Sequence, residues 1–150
     1  MRKITLIIVH CSAVRPGQTS SAAQIDRWHR QRGFKNGIGY HYVVRRDGTI
    51  EGGRPEDMVG AHCKGHNAHS IGVCYEGGLD ANGKAADTRT PQQKAALSAL
   101  IRSLRQSYPG SIVVGHRDLS PDRNHDGRVT PNEWTKSCPS FDAAKEYRDL

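Results

Sequence analysis

The sequence predicts an α/β fold, a single domain over residues 1–150 with a central mixed β-sheet flanked by about three helices. Short runs dense in β-branched residues, such as Ile4-Thr5-Leu6-Ile7-Ile8-Val9, read as strands buried on both faces. They alternate with stretches whose apolar residues recur at helical spacing. Two further β-rich segments meet at Asp47-Gly48, a tight-turn dipeptide, which adds an antiparallel pair.

In chain order, residues 4–9 form the first strand and His10 stands at its carboxyl end. From Thr19 to Gly33 the pattern is helical: Ser21 and Gln24 have capping-box spacing, Ile25, Trp28 and His29 share a face, and Gly33 suits the stop. Residues 38–46 and 49–51 flank Asp47-Gly48 as a hairpin, and 70–75 is another strand. Residues 79–88 are polar and turn-rich, so they read as a loop. Thr90-Pro91-Gln92-Gln93 supplies an N-cap, a proline at the first helical position and a capping-box glutamine ahead of Leu97, Leu100, Ile101 and Leu104. Residues 111–115 form a short strand ending at His116, and 140–147 a terminal helix.

The chain has 150 residues, with 22 Lys+Arg against 15 Asp+Glu and a formal charge of +7. A chain this long buries roughly two-thirds of its unfolded surface, so it needs no disulfide framework. Cysteines 11, 63, 74 and 138 are scattered and form no CxxC pair. No apolar run approaches the ~20 residues of a membrane span, so no transmembrane segment is expected. The basic, then apolar N-terminus imitates a signal peptide, but the run is short and His10-Cys11 follows where small cleavage-site residues belong. Synthesis in the cytoplasm without a signal peptide is therefore expected. No nucleic-acid-binding motif accompanies the basic charge, so no nucleic acid is expected as a partner, and HExxH, GxSxG and the P-loop are absent.

His10 and His116 each end a β-rich run, and ligands in open α/β sheets commonly bind beyond the carboxyl ends of strands. Cys138, just before the last helix, offers a third donor. Two imidazoles and a thiolate suit Zn2+ and leave a fourth position open, as catalytic zinc requires. Each residue also has an ordinary reading: a hydrogen-bonded histidine at a strand end, or a cysteine acting as a small buried hydrophobe. Cys11 follows His10 directly, and strand alternation points it away from any site containing His10. Cys63 and Cys74 are likewise read as structural.

The blocks Val9-His10-Cys11-Ser12-Ala13, Gly39-Tyr40-His41-Tyr42, Arg46-Asp47-Gly48-Thr49, Gly60-Ala61-His62-Cys63-Lys64-Gly65-His66-Asn67, Ser70-Ile71-Gly72-Val73-Cys74 and Cys138-Pro139-Ser140-Phe141-Asp142 span nearly the whole chain. In these the sequence resembles the type 2 N-acetylmuramoyl-L-alanine amidases, a family that includes phage lysozyme-type amidases and peptidoglycan recognition proteins. The resemblance implies zinc-dependent hydrolysis of the amide between the lactyl group of N-acetylmuramic acid and L-alanine, as in an endolysin acting on the cell wall after release or export. It maps the zinc ligands onto His10, His116 and Cys138, the catalytic tyrosine onto Tyr40 and the catalytic lysine onto Lys136. It places His62, Lys64 and Asn67 beside the active site as substrate-binding residues. Peptidoglycan is then the partner, and a monomer is expected. A binding module that holds peptidoglycan without cutting it is the competing class, and the presence of Cys138 favours the enzyme.

Between His116 and Cys138 the stretch from Asp122 to Glu133 matches the EF-hand pattern D-x-[DN]-x-[DN]-G-x5-E. Asp122, Asn124, Asp126, the Arg128 carbonyl, Thr130 and Glu133 would surround Ca2+, with Gly127 making the turn. The opposing reading is an Asp/Asn-rich turn that binds nothing, favoured by Pro121 and by the lack of a second such loop. The smaller phage relatives are shorter here, so this segment departs from the family pattern.

Overall fold

The computed structural model describes residues 2–121, 123–127 and 129–150. The sheet has five strands: β1 (Leu6–Cys11), β2 (Tyr42–Val44), β3 (Ile50–Gly52), β4 (Ser70–Tyr75) and β5 (Ile112–Gly115), in the spatial order β3-β2-β4-β1-β5. Pairings β1–β4, β1–β5 and β2–β4 are parallel, and β2–β3 is antiparallel. The sheet is thus mixed, as the sequence predicts. The hairpin turns where Gly48 takes φ of 89°, its N–H donating to Arg45 O at 2.9 Å.

The helices are α1 (Ala22–Gln31), α2 (Pro91–Ser107) and α3 (Ala143–Glu146). Both capping boxes read from the sequence are formed, Ser21 with Gln24 and Thr90 with Gln93. Strand alternation sorts the core. Ile7, Val9, Ile71, Val73 and Tyr75 face α2, where Leu97, Ile101 and Leu104 cover them together with Phe141, Ala143 and Tyr147 from the C-terminal segment. The opposite face carries Ile8, His10, Gly72 and Cys74, and on this side α1 contributes Ile25 to a small cluster with Ile38 and Val43. Buried Arg89 fastens the C-terminal segment: it pairs with Asp87 and Glu146 and its guanidinium lies 3.4 Å from the Phe141 ring centroid.

The structure departs from the sequence reading at several points, the hairpin's first strand among them, which is confined to Tyr42–Val44. The first strand runs to Cys11, so His10 sits within the ladder, opposite Cys74. Trp28 stays 37% exposed while Ile25 and His29 are buried. The terminal helix is confined to Ala143–Glu146, since Ser140 has φ of 71° and Asp142 is the cap, accepting from Lys145 N.

Candidate active site

β1 lies between β4 and β5, so the carboxyl ends of three parallel strands define one edge, and His10 reaches that edge fully buried. His116 opens a 3-10 turn, His116–Leu119, directly after β5. Gly115 N donates to Asp118 Oδ2 at 2.7 Å and holds this turn in place. The Cys138 segment is tied to the same place from three sides. Arg117 N donates to Cys138 O at 2.8 Å, Tyr75 Oη donates to Pro139 O at 2.6 Å, and Pro139 occupies the space beside Gly115, where a Cβ would lie 2.7 Å from its Cδ. Consequently the ligand atoms of His10, His116 and Cys138 all lie within 4.8 Å of one another.

These three line a cavity of about 540 Å³ together with Tyr40, Lys136, His62, Lys64 and Asn67, so the residues that the resemblance mapped meet at one place. The Tyr40 ring centroid is 5.0 Å from that of His10, and the His116 ring centroid is 4.6 Å from it. His62 Nδ1 is 2.9 Å from His10 Nε2. The His62 ring rests flat on Gly72, where a Cβ would fall 2.6 Å from its Cδ2. Asn67 Oδ1 accepts from the N–H groups of His62 and Cys63, both at 2.9 Å, and so shapes the loop that carries them. Among the described residues, the charged groups lining the cavity are Arg32, Lys64 and Lys136, all cationic, with no carboxylate.

Burial sets the protonation states. It drives His10 well below the ordinary imidazole value, with His62, His116 and Lys136 adding to the effect. Burial takes His62 down to about 3, and burial with the nearby Lys136 charge takes His116 down to about 4. The imidazoles are therefore neutral near pH 7, and His10 and His116 can each offer a ring lone pair to a cation. Burial, followed by the neighbouring thiols, pushes the Tyr40 phenol well above its ordinary value, so it remains an O–H donor. The hydrogen bond with Cys11, followed by burial, pushes Cys138 up. Neutral imidazoles beside a thiol, open to a cavity, fit a zinc ion with one position left for substrate or water.

Sequence reasoning missed Cys11, His29, Arg32 and Phe34 as cavity-lining residues, and Cys63, read as structural, lines the cavity as well. His29 was readable in part: it falls one turn after Ile25 on the buried face of α1, and its Nδ1 accepts from Gly39 N at 2.9 Å. Arg32 and Phe34 follow the helix stop, where no periodicity marks direction.

The calcium expectation finds no support among the described residues. Asp122 and Arg128 lie outside them. Glu133, the intended bidentate ligand, instead accepts from Arg123 N, Asn124 N, Thr130 N and Thr130 Oγ1, so both of its oxygens are committed to holding the loop. Asn124 and Asp126 hydrogen-bond to each other. Among the described residues, the one group of donors placed so that it could hold a metal ion is His10, His116 and Cys138.

Fold and site together define a class: an α/β domain whose parallel strands deliver a two-histidine, one-cysteine cluster to the floor of a cationic cavity. A family model described as N-acetylmuramoyl-L-alanine amidase matches residues 1–140, and the chain belongs to that family. It is 41% identical over 134 residues to the endolysin of Enterobacteria phage K11, covering 89% of this chain and 79% of that protein. It is 40% identical over 136 residues to the endolysin of Escherichia phage T7, covering 91% and 80%. Among solved structures, the N-acetylmuramoyl-L-alanine amidase LysC from Clostridium intestinale URNW superposes with a TM-score of 0.73 at 31% identity, over 97% of this chain and 82% of that one.

Proposed function

We propose that the chain cuts the amide between the lactyl group of N-acetylmuramic acid and L-alanine in peptidoglycan, with Zn2+ held by His10, His116 and Cys138, and so lyses cell walls as an endolysin. The observation that carries this reading is the meeting of those three donors with Tyr40 and Lys136 in one cavity. Zinc bound there supplies a water whose pKa falls from ~15.7 to about 7 and polarises the scissile carbonyl. The remaining work belongs to side chains. Lys136 at the rim offers a cationic donor to the charge that develops on the carbonyl oxygen, and the Tyr40 hydroxyl offers a neutral one or orients the attacking water. His62, hydrogen-bonded to His10, fixes the ring on which the cluster is built, and Lys64 with Arg32 attracts an anionic substrate.

The test is digestion of purified peptidoglycan followed by mass spectrometry, alongside metal analysis. The expected products are glycan with free lactyl termini and stem peptides with free L-alanine amino groups. Bound zinc and product should disappear together in His116→Ala. A His116→Ala variant that still cuts would overturn the zinc assignment, and cleavage at any other bond would overturn the substrate assignment.

A further inference from the structure

We propose that Cys11 and Cys138 form a reversible thiol–disulfide modification site at the cavity floor, oxidised by a small peroxide, and that closing the bond withdraws the Cys138 sulfur from the metal cluster. Strand alternation does send Cys11 to the opposite face from His10, where it is buried in the α2-side core. At the strand end, however, Cys138 arrives from that same side. Its sulfur lies 3.1 Å from Cys11 N and 3.9 Å from Cys11 O, so it sits against the backbone of Cys11 itself. A sulfur held this close to the backbone of the other cysteine needs little movement to reach that residue's own sulfur. Room for the Cys11 side chain comes from Gly78: a Cβ there would lie 2.4 Å from Cys11 Sγ.

The geometry also sets the order of events. Both residues line the cavity, but Cys11 is the more deeply buried, so a peroxide entering the cavity meets Cys138 first. The Cys138 sulfur attacks one peroxide oxygen as its proton passes to the departing oxygen, the O–O bond breaks, and a sulfenic acid and one water result. Cys11 then attacks the Cys138 sulfur, the S–O bond breaks, the S–S bond forms and a second water leaves. Two thiols have given two electrons and two protons to one peroxide. The other cysteines are placed differently, with Cys74 hydrogen-bonding to Tyr40 and to Tyr75 O. The effect on the metal rests on the zinc reading above, whereas the S–S bond itself can be read on metal-free protein.

The experiment treats chelator-stripped full-length chain with hydrogen peroxide and follows thiol number, intact mass and a peptide map. Titratable thiols should fall from four to two, the mass should drop by two hydrogens, and the map should join the Cys11 and Cys138 peptides. Dithiothreitol should reverse all three changes, prior zinc loading should slow them, and the oxidised chain should take up no zinc until reduced. In Cys11→Ser, Cys138 should proceed to sulfinic acid that dithiothreitol does not reverse; should this variant not fold, the wild-type map decides. A bond to Cys63 or Cys74, or singly oxidised Cys138 beside an intact Cys11 thiol, would overturn the site. That result in a chain that still cuts peptidoglycan with zinc would leave the proposed function standing. Cross-linking that neither responds to zinc nor affects its uptake would instead reject the metal reading.

Discussion

Replacing Gly72 with alanine tests how the sheet seats the active-site imidazoles. The new methyl would lie 2.6 Å from His62 Cδ2, 2.7 Å from Cγ and 2.8 Å from Nε2, against 3.4 Å for ordinary contact. The ring cannot yield freely, because its far side is hydrogen-bonded to His10 at 2.9 Å and its rim faces Tyr40 and His41. Overpacking of this kind costs about 1–3 kcal/mol. Losing the His62–His10 hydrogen bond adds about 1 kcal/mol. The sum, roughly 2–4 kcal/mol, corresponds to a fall in melting temperature of roughly 4–15 °C for a chain of this size. The assay is thermal unfolding by circular dichroism, with wall lysis measured well below the transition. In a His62→Ala background the obstructing ring is gone, and the same glycine change should cost less than ~1 kcal/mol, a coupling expected of residues in contact. An equal loss in both backgrounds would refute the reasoning, as would a Gly72→Ala protein with wild-type stability and activity.

Tyr40→Phe and Lys136→Ala should each lower kcat by about 10²–10³ while zinc content stays unchanged; a variant that loses its metal has a different role from the one assigned. The depressed imidazoles make metal-free protein acid-labile. Because the unfolded chain binds protons first, stability is complete above pH 6.5 and is lost as pH falls toward about 4 for His116 and about 3 for His62. Chemical denaturation of metal-free protein at pH 7 and pH 5 should show this loss, and His62→Asn should show less of it; identical slopes would contradict the assignment. With Glu133 holding backbone N–H groups, Glu133→Ala should lower the melting temperature and added Ca2+ should leave the wild type unmoved, whereas a calcium-dependent rise would revive the EF-hand reading.

What the sequence disclosed was mostly local. Ser21 with Gln24 and Thr90 with Gln93 satisfy helix N–H groups within three residues of themselves, so their structure follows from their spacing. Gly48 fixes the hairpin for the same reason. The metal donors were legible as strand-end residues, but their convergence depends on β1 entering between two later strands, which no short window records. Cys11 shows the limit most clearly. Alternation gives its direction correctly, yet its partner lies 127 residues away and reaches the strand end around Gly115. The calcium motif finds no support for a different reason: its spacing is right at every specified position, but among the described residues Glu133 accepts hydrogen bonds from nearby amides.

The position of β1 has a consequence for when the molecule becomes dangerous to a wall. Its first metal donor is synthesised early and then waits: β4 must pair on one side, β5 on the other, and the Cys138 segment must close over the edge before any cluster exists. On the proposed reading, a chain that stops short of Cys138 lacks the third donor. Assembly of the three donors therefore depends on long-range pairing across almost the whole chain, and no local segment can bring them together early.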